Sequence, residues 1–148
     1  MPDIKDVKIL VIEDDPGHSR LIEKNLRRAS ILNDIVKIEN GQEALDYLFS
    51  EGQYGELEHA APLLVLLDLN LPVVDGFHVL ERMKSNDATK RIPVIILTTS
   101  DSDQDISRCY EFGCNVYLTK PIVCGDFANA IQKLGLFLSV ASVPERGK

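Results

Sequence analysis

Tryptophan is absent from this chain of 148 residues, and five Phe and four Tyr are its whole aromatic content. That leaves little from which to build a base-stacking platform or an aromatic cofactor cradle. Cysteine is equally scarce: Cys109, Cys114 and Cys124, an odd number without a Cys-x-x-Cys pair. Neither a disulfide framework nor a zinc site is expected, and the thiols read as reduced and partly buried. Basic residues are outnumbered, 16 Lys and Arg against 23 Asp and Glu, for a net charge of −7. This excludes the basic footprint of a nucleic-acid binder. Long hydrophobic runs are missing too. Stretches such as Leu63 to Leu67 fall far short of the roughly 20 residues a membrane span needs. No charged start leads into a hydrophobic signal segment, so a cytoplasmic location with no membrane attachment is expected.

What is present is the composition of a soluble globular domain, 45% hydrophobic and 26% charged, long enough for one good core. Five short apolar runs alternate with segments of helical period. Lys8 to Ile12, Leu63 to Leu67, Pro93 to Leu97 and Val116 to Leu118 read as buried strands, while Ile35 to Ile38 alternates like an edge strand. Between them, Asp15 can cap a helix that starts at Pro16, with Leu21, Ile22, Leu26 and Ala29 on its inner face. Gly41 to Leu48 turns Ala44, Leu45 and Leu48 inward, and a helix opening at Asp75-Gly76 turns in Val79, Leu80 and Met83. Ser102-Asp-Gln-Asp105 resembles a capping box for a fourth helix ending near Gly113. A fifth carries the stripe Phe127, Ala130, Ile131, Leu134, Phe137 and Leu138. Continuous apolar strands joined by helices predict an α/β domain, a doubly wound parallel sheet that binds ligands beyond the carboxyl ends of its strands. Two segments lie outside this pattern, the polar connection Ser50 to Pro62 and a tail from Ala141 to Lys148.

Those carboxyl ends concentrate the chemistry. The first strand runs into Glu13-Asp14-Asp15 and the third into Asp68; the fourth ends in Thr98-Thr99-Ser100 and the fifth in Thr119-Lys120-Pro121. Taken singly, Asp15 and Asp75 are helix caps, Lys120 a surface lysine and Thr98 a β-branched strand residue. Taken together at one rim, crowded carboxylates repel one another and raise each other's pKa. A hard divalent cation such as Mg²⁺ relieves that repulsion. Lys120 can pair with a carboxylate or an added phosphoryl group, and the Thr98 hydroxyl can donate to the same oxygens.

In these motifs the sequence resembles the receiver domains of two-component response regulators, over residues 7 to about 135. The motifs are Ile9-Leu-Val-Ile-Glu-Asp-Asp15, Leu66-Leu-Asp-Leu-Asn-Leu-Pro72 with Asp75-Gly76, Pro93-Val-Ile-Ile-Leu-Thr98 and Tyr117-Leu-Thr-Lys-Pro121. The long 50–62 connection, Asp68-Leu-Asn-Leu-Pro72 and Leu97-Thr-Thr-Ser100 look like single-domain regulators associated with phytochrome-type histidine kinases. The resemblance implies a flavodoxin-like fold with five strands in the order 2-1-3-4-5. It implies one receiver domain over 1–148, with a core over 7–140, a tail over 141–148 and no effector.

The resemblance also implies a phosphorylation switch. Asp68 would be the phosphoacceptor, attacking a kinase phosphohistidine to give an acyl phosphate. Asp14, Asp68 and the backbone carbonyl of Asn70 would bind Mg²⁺, with Glu13 acting through water. Lys120 would contact the phosphoryl group and precede a cis proline, Pro121. Thr98 and Tyr117 would switch, signalling to the face of the fourth helix, fifth strand and fifth helix. Asn70 and Ser100 would tune dephosphorylation, and the branched side chain of Thr99 would narrow access for water and small phosphodonors. His18 and His78 read as helix-surface residues and His59 as solvated. Output is expected by association with a downstream protein target or as a homodimer, through apolar positions of the fifth helix such as Leu136 and Phe137, unless the 50–62 segment folds over them. The chain would catalyse only its own phosphotransfer and dephosphorylation. A phosphorylation-independent adaptor has no need for Asp68, Asp14, Thr98 and Lys120 together. An aspartyl-phosphate phosphohydrolase would want a general acid where Asn70 stands.

Overall fold

Strands and helices alternate along the chain as their hydrophobic patterns predict. The structure, a computed structural model, describes residues 6–59, 61–130 and 132–134. The elements are β1 (Lys8–Ile12), α1 (Pro16–Arg28), β2 (Ile35–Ile38), α2 (Gly41–Phe49), β3 (Leu63–Leu67), α3 (Gly76–Lys84), β4 (Val94–Thr98), α4 (Asp103–Phe112) and β5 (Val116–Thr119). A last helix, α5, is described over 124–130 and 132–134. The strands form one parallel sheet in the order β2-β1-β3-β4-β5. β2, the strand with alternating polarity, lies at an edge.

The three central strands, β1, β3 and β4, bury both faces, which is why their runs read as continuously apolar. Leu10, Ile12, Val65, Leu67, Val94 and Ile96 face a core closed by α2, α3 and α4. Ile9, Val11, Leu64, Leu66, Ile95 and Leu97 face the other, closed by Ile22 and Leu26 of α1 and Phe127, Ala130 and Leu134 of α5. Each such side chain, once fully buried, contributes about 1.5–3 kcal/mol. The register sets Ile12 beside both Ile38 and Leu67, and Thr98 beside Thr119. The segments that follow β1, β3, β4 and β5 therefore leave the sheet at one rim.

The caps are those the sequence signals. Asp15 accepts from the backbone N–H groups of Gly17 and His18, Asp75 from His78, and Ser102 from Asp105. Gly113 closes α4 at a φ of 105°, a left-handed conformation suited to glycine. β4 begins one residue later than the apolar run, after Pro93, and β5 extends to Thr119. On α1 the inner face is rotated from expectation: Leu21 is 46% exposed, while Ser19 and Asn25 are buried beside Ile22 and Leu26. Asn25 goes inside because its amide donates to the Ile122 carbonyl at 2.8 Å, tying α1 to the segment after β5.

Among the described residues, the 50–62 connection lies against the core on the α2 side. Its 3-10 turn, Gly52–Tyr54, packs on the α2 side: Tyr54 meets Tyr47 edge-on and donates to Glu43 at 2.7 Å. That acceptor, ahead of burial, pushes the Tyr54 phenol up to about 12. His59 is exposed, as expected, and its Nε2 also bonds the Tyr47 carbonyl at 2.7 Å. Cys109 and Cys114 are buried and free, as expected, and burial pushes their thiols up to about 11 and about 12. Ile131, Leu136, Phe137 and Leu138 and the tail over 141–148 lie outside the described residues. Among the described residues no helix is long and apolar enough to cross a membrane.

The loop between β3 and α3 carries a strained position. Val73 has a φ of 71° and is 79% exposed. A β-branched residue there crowds its own backbone at a cost of about 1–2 kcal/mol and gains no burial in return. Val73→Asn, a residue that tolerates this conformation, is expected to raise the unfolding free energy in urea by about 1 kcal/mol. No gain in the denaturation midpoint would show that the loop relaxes around valine.

Candidate functional site

Glu13 and Asp14 follow β1, Asp68 follows β3 and Lys120 follows β5, so the sheet register brings them together. The Asp68 N–H donates to the Ile12 carbonyl at 3.0 Å and the Glu13 N–H to the Ile38 carbonyl at 2.9 Å, continuing the ladder into the site. Behind Asp68 the first turn of α3 presses on the same backbone. A Cβ on Gly76 would stand 2.3 Å from the Asp68 carbonyl oxygen and 2.6 Å from the Leu69 Cα, so glycine there is a packing requirement.

Carboxylate oxygens of Glu13, Asp14 and Asp68 all lie within 4.8 Å of one another. Glu13 and Asp68 are buried and Asp14 is exposed. The Lys120 ammonium, its side chain only 10% exposed, donates to Glu13 Oε1 and to Asp68 Oδ2, the latter at 3.1 Å. Burial works against that cation, but its bond to Glu13 and the charge of Asp68 hold its pKa above the usual lysine value. Burial, with the charge of Asp68 adding to it, pushes Glu13 above the usual glutamate range despite the bond from Lys120. Backbone donors take further oxygens: the Asn70 N–H gives to Asp68 Oδ1 at 3.1 Å and the Asp15 N–H to Glu13 Oε2 at 3.2 Å. Three carboxylates against one ammonium leave two negative charges among hard oxygen donors. That donor set fits a divalent cation of the Mg²⁺ class.

Thr98 lies beside this cluster, on the strand between β3 and β5. It is 0% exposed, and its hydroxyl is, among the described residues, the one buried side-chain polar atom with no hydrogen-bond partner. The Thr98 carbonyl accepts from the Lys120 N–H at 2.7 Å, and the Lys120–Pro121 peptide is cis. Beyond Thr98, Thr99 is exposed. The Ser100 hydroxyl donates to Asp105 Oδ2 at 2.6 Å, and the half-buried Tyr117 donates to the Ser100 carbonyl at 2.8 Å.

One residue of the site was missed from sequence. His18 is on the helix surface, as expected, yet its Nδ1 lies 3.1 Å from Lys120 Nζ and 3.9 Å from Glu13 Oε2. No motif marks it; only its place in the first turn of α1, beside the end of β5, reveals it. His78 stays exposed on α3.

Comparison with known proteins matches residues 9–132 to the response regulator receiver domain family. Among curated proteins, the response regulator Rcp1 of Synechocystis is 37% identical over 137 residues, covering 92% of this chain and 92% of its own. Among solved structures, a response regulator receiver domain from Rhodospirillum rubrum is 52% identical with a TM-score of 0.73, covering 90% of this chain and 94% of that one. The bacteriophytochrome response regulator RtBRR is 38% identical with a TM-score of 0.79, covering 87% and 78%. Rcp1 itself has been solved in a Mn²⁺-bound form, 36% identical with a TM-score of 0.72 over 89% of this chain and 94% of that one.

Two outcomes test the geometry. Millimolar Mg²⁺ is expected to raise the melting temperature of the wild type, by the equivalent of about 2.7 kcal/mol at a hundredfold excess over its Kd, and to leave Asp14→Asn almost unmoved. An equal shift in both proteins would place the metal elsewhere. Thr98→Val keeps the shape and removes an unpaired hydroxyl whose burial costs about 1–3 kcal/mol. It should match or exceed the wild type in urea, and a large loss of stability would mean the hydroxyl is satisfied in solution.

Proposed function

The chain belongs to the family of response regulator receiver domains, and on that premise we propose that Asp68 takes a phosphoryl group from a histidine kinase with the help of Mg²⁺. The observation that carries the reading is the Lys120 ammonium seated on Asp68 Oδ2 inside a cluster of three carboxylates. An acid with only helix-capping duties has no reason to be buried against a lysine and two further acids.

Asp68 Oδ attacks the phosphorus of a phosphohistidine in line; the phosphorus–nitrogen bond breaks, its electron pair leaves with the imidazole, and an acyl phosphate forms. Asp14, Asp68 and the Asn70 carbonyl would hold Mg²⁺, with Glu13 reaching it through water. The ion would neutralise charge on the phosphoryl oxygens. Lys120, already 3.1 Å from Asp68 Oδ2, follows the oxygens as they arrive. The unpartnered hydroxyl of Thr98 is a donor awaiting an acceptor, and the new oxygens supply one. Movement of Thr98 reaches the following loop, where Tyr117 and Asp105 bond to Ser100. Asn70, Thr99 and Ser100 stand where they can tune loss of the phosphoryl group by water.

Likeness to RtBRR, a bacteriophytochrome response regulator, supports a phytochrome-type kinase as donor. So does likeness to RcpA, a cyanobacterial phytochrome response regulator solved phosphorylated, 36% identical with a TM-score of 0.71 over 93% of this chain and 92% of that one. We read the chain as one cytoplasmic receiver unit. Its output is association with a downstream protein, or with a second copy, on the α4, β5 and α5 face. It catalyses its own phosphorylation and dephosphorylation and turns over no other substrate.

Intact mass after incubation with Mg²⁺ and acetyl phosphate, or with a phosphorylated histidine kinase, tests this. One added phosphoryl group that requires Mg²⁺ and is lost in Asp68→Asn is expected. No addition from either donor would overturn the reading in favour of a phosphorylation-independent adaptor.

A further inference from the structure

Resting on the phosphoacceptor reading, we propose that His18 is a positioning residue for phosphotransfer, the third hydrogen-bond acceptor that holds the Lys120 ammonium over Asp68. A lysine ammonium carries three donor protons and no acceptor. Glu13 Oε1 takes one and Asp68 Oδ2, at 3.1 Å, a second. His18 Nδ1, also at 3.1 Å, takes the third. In the resting protein all three donors are thereby engaged, and the imidazole fixes the rotation of an ammonium that the two carboxylates hold in place.

The ring's position is built into the helix start. Pro16 opens α1, and the Asp15 side chain accepts from both Gly17 at 2.8 Å and His18 at 3.0 Å. That cap plants the His18 Cα at the rim. For Nδ1 to accept, the ring must be neutral with its proton on Nε2; a cationic imidazole would set two positive charges 3.1 Å apart. Neutrality also suits the charge balance. A third carboxylate on Lys120 would deepen the excess of negative charge, and a second cation would weaken the divalent-ion site. An imidazole holds the lysine and changes neither. The ring and Lys120 both line a cavity of about 270 Å³, with Leu21, Ile22, Thr99 and Phe127, so removing the ring widens a cavity that already reaches the ammonium. A mere plug and a positioning residue therefore predict opposite effects.

The test compares wild type, His18→Ala and His18→Gln, whose amide oxygen can replace the ring nitrogen. The initial rate of phosphoryl incorporation is measured against acetyl phosphate concentration at saturating Mg²⁺. Positioning predicts that His18→Ala lowers the maximal rate about two- to tenfold, the worth of one ordinary hydrogen bond, with little change in half-saturation, and that His18→Gln restores most of it. A rate unchanged or raised in His18→Ala would overturn the proposal and leave the imidazole as a plug. A lysine-selective NMR spectrum gives a readout independent of phosphorylation. The Lys120 Nζ–H signal should be slow to exchange in wild type and His18→Gln and lost in His18→Ala. An unphosphorylated wild type with this NMR pattern would sink the phosphoacceptor reading alone; a phosphorylated wild type whose Lys120 signal ignores His18 would sink this one alone.

Discussion

One buried cation reconciles the acidic rim with a folded sheet. Glu13 and Asp68 are carried indoors by strands whose register is fixed by hydrophobic packing, so they cannot move apart to relieve their repulsion. Lys120 comes from the far side of β4 and is held on both. Removing one partner of a buried ion pair typically costs about 3–5 kcal/mol, a large share of a domain's stability. On the proposed reading, the same lysine also holds Asp68 in place for the incoming phosphoryl group. Stability of the resting protein and readiness for chemistry thus rest on a single ammonium.

The fold was legible because its signals are local. Strand boundaries for Lys8–Ile12, Ile35–Ile38 and Leu63–Leu67 coincide with their apolar runs, and the caps at Asp15, Asp75 and Ser102 need only a few residues to be recognised. What failed was anything decided by a distant partner. Leu21 looked like core because it is apolar at helical spacing, yet Asn25 takes the inner face instead, through a bond to Ile122, 97 residues away. His59 is exposed, as read, but its bond to the Tyr47 backbone carbonyl is of a kind that no side-chain pattern reports.

The site shows the same division. Asp14, Asp68, Thr98 and Lys120 were found because each ends a strand, and strand ends of a parallel sheet converge by topology. His18 ends no strand; it meets Lys120 only through the pitch of α1, a matter of tertiary placement. Gly76 was visible as a letter in a motif, while the reason for it, a backbone carbonyl where its Cβ would sit, belongs to the packed structure.

The unpartnered hydroxyl of Thr98 has a consequence for signal size. A buried donor left without an acceptor raises the resting state by about 1–3 kcal/mol, and on the proposed reading the modified state recovers that free energy when the hydroxyl finds an oxygen. At roughly 1.4 kcal/mol per factor of ten, this one atom biases the two populations by about tenfold to a hundredfold. On that reading, the ratio of output with the kinase on to output with it off is to that extent written into a single β-branched side chain at the carboxyl end of β4.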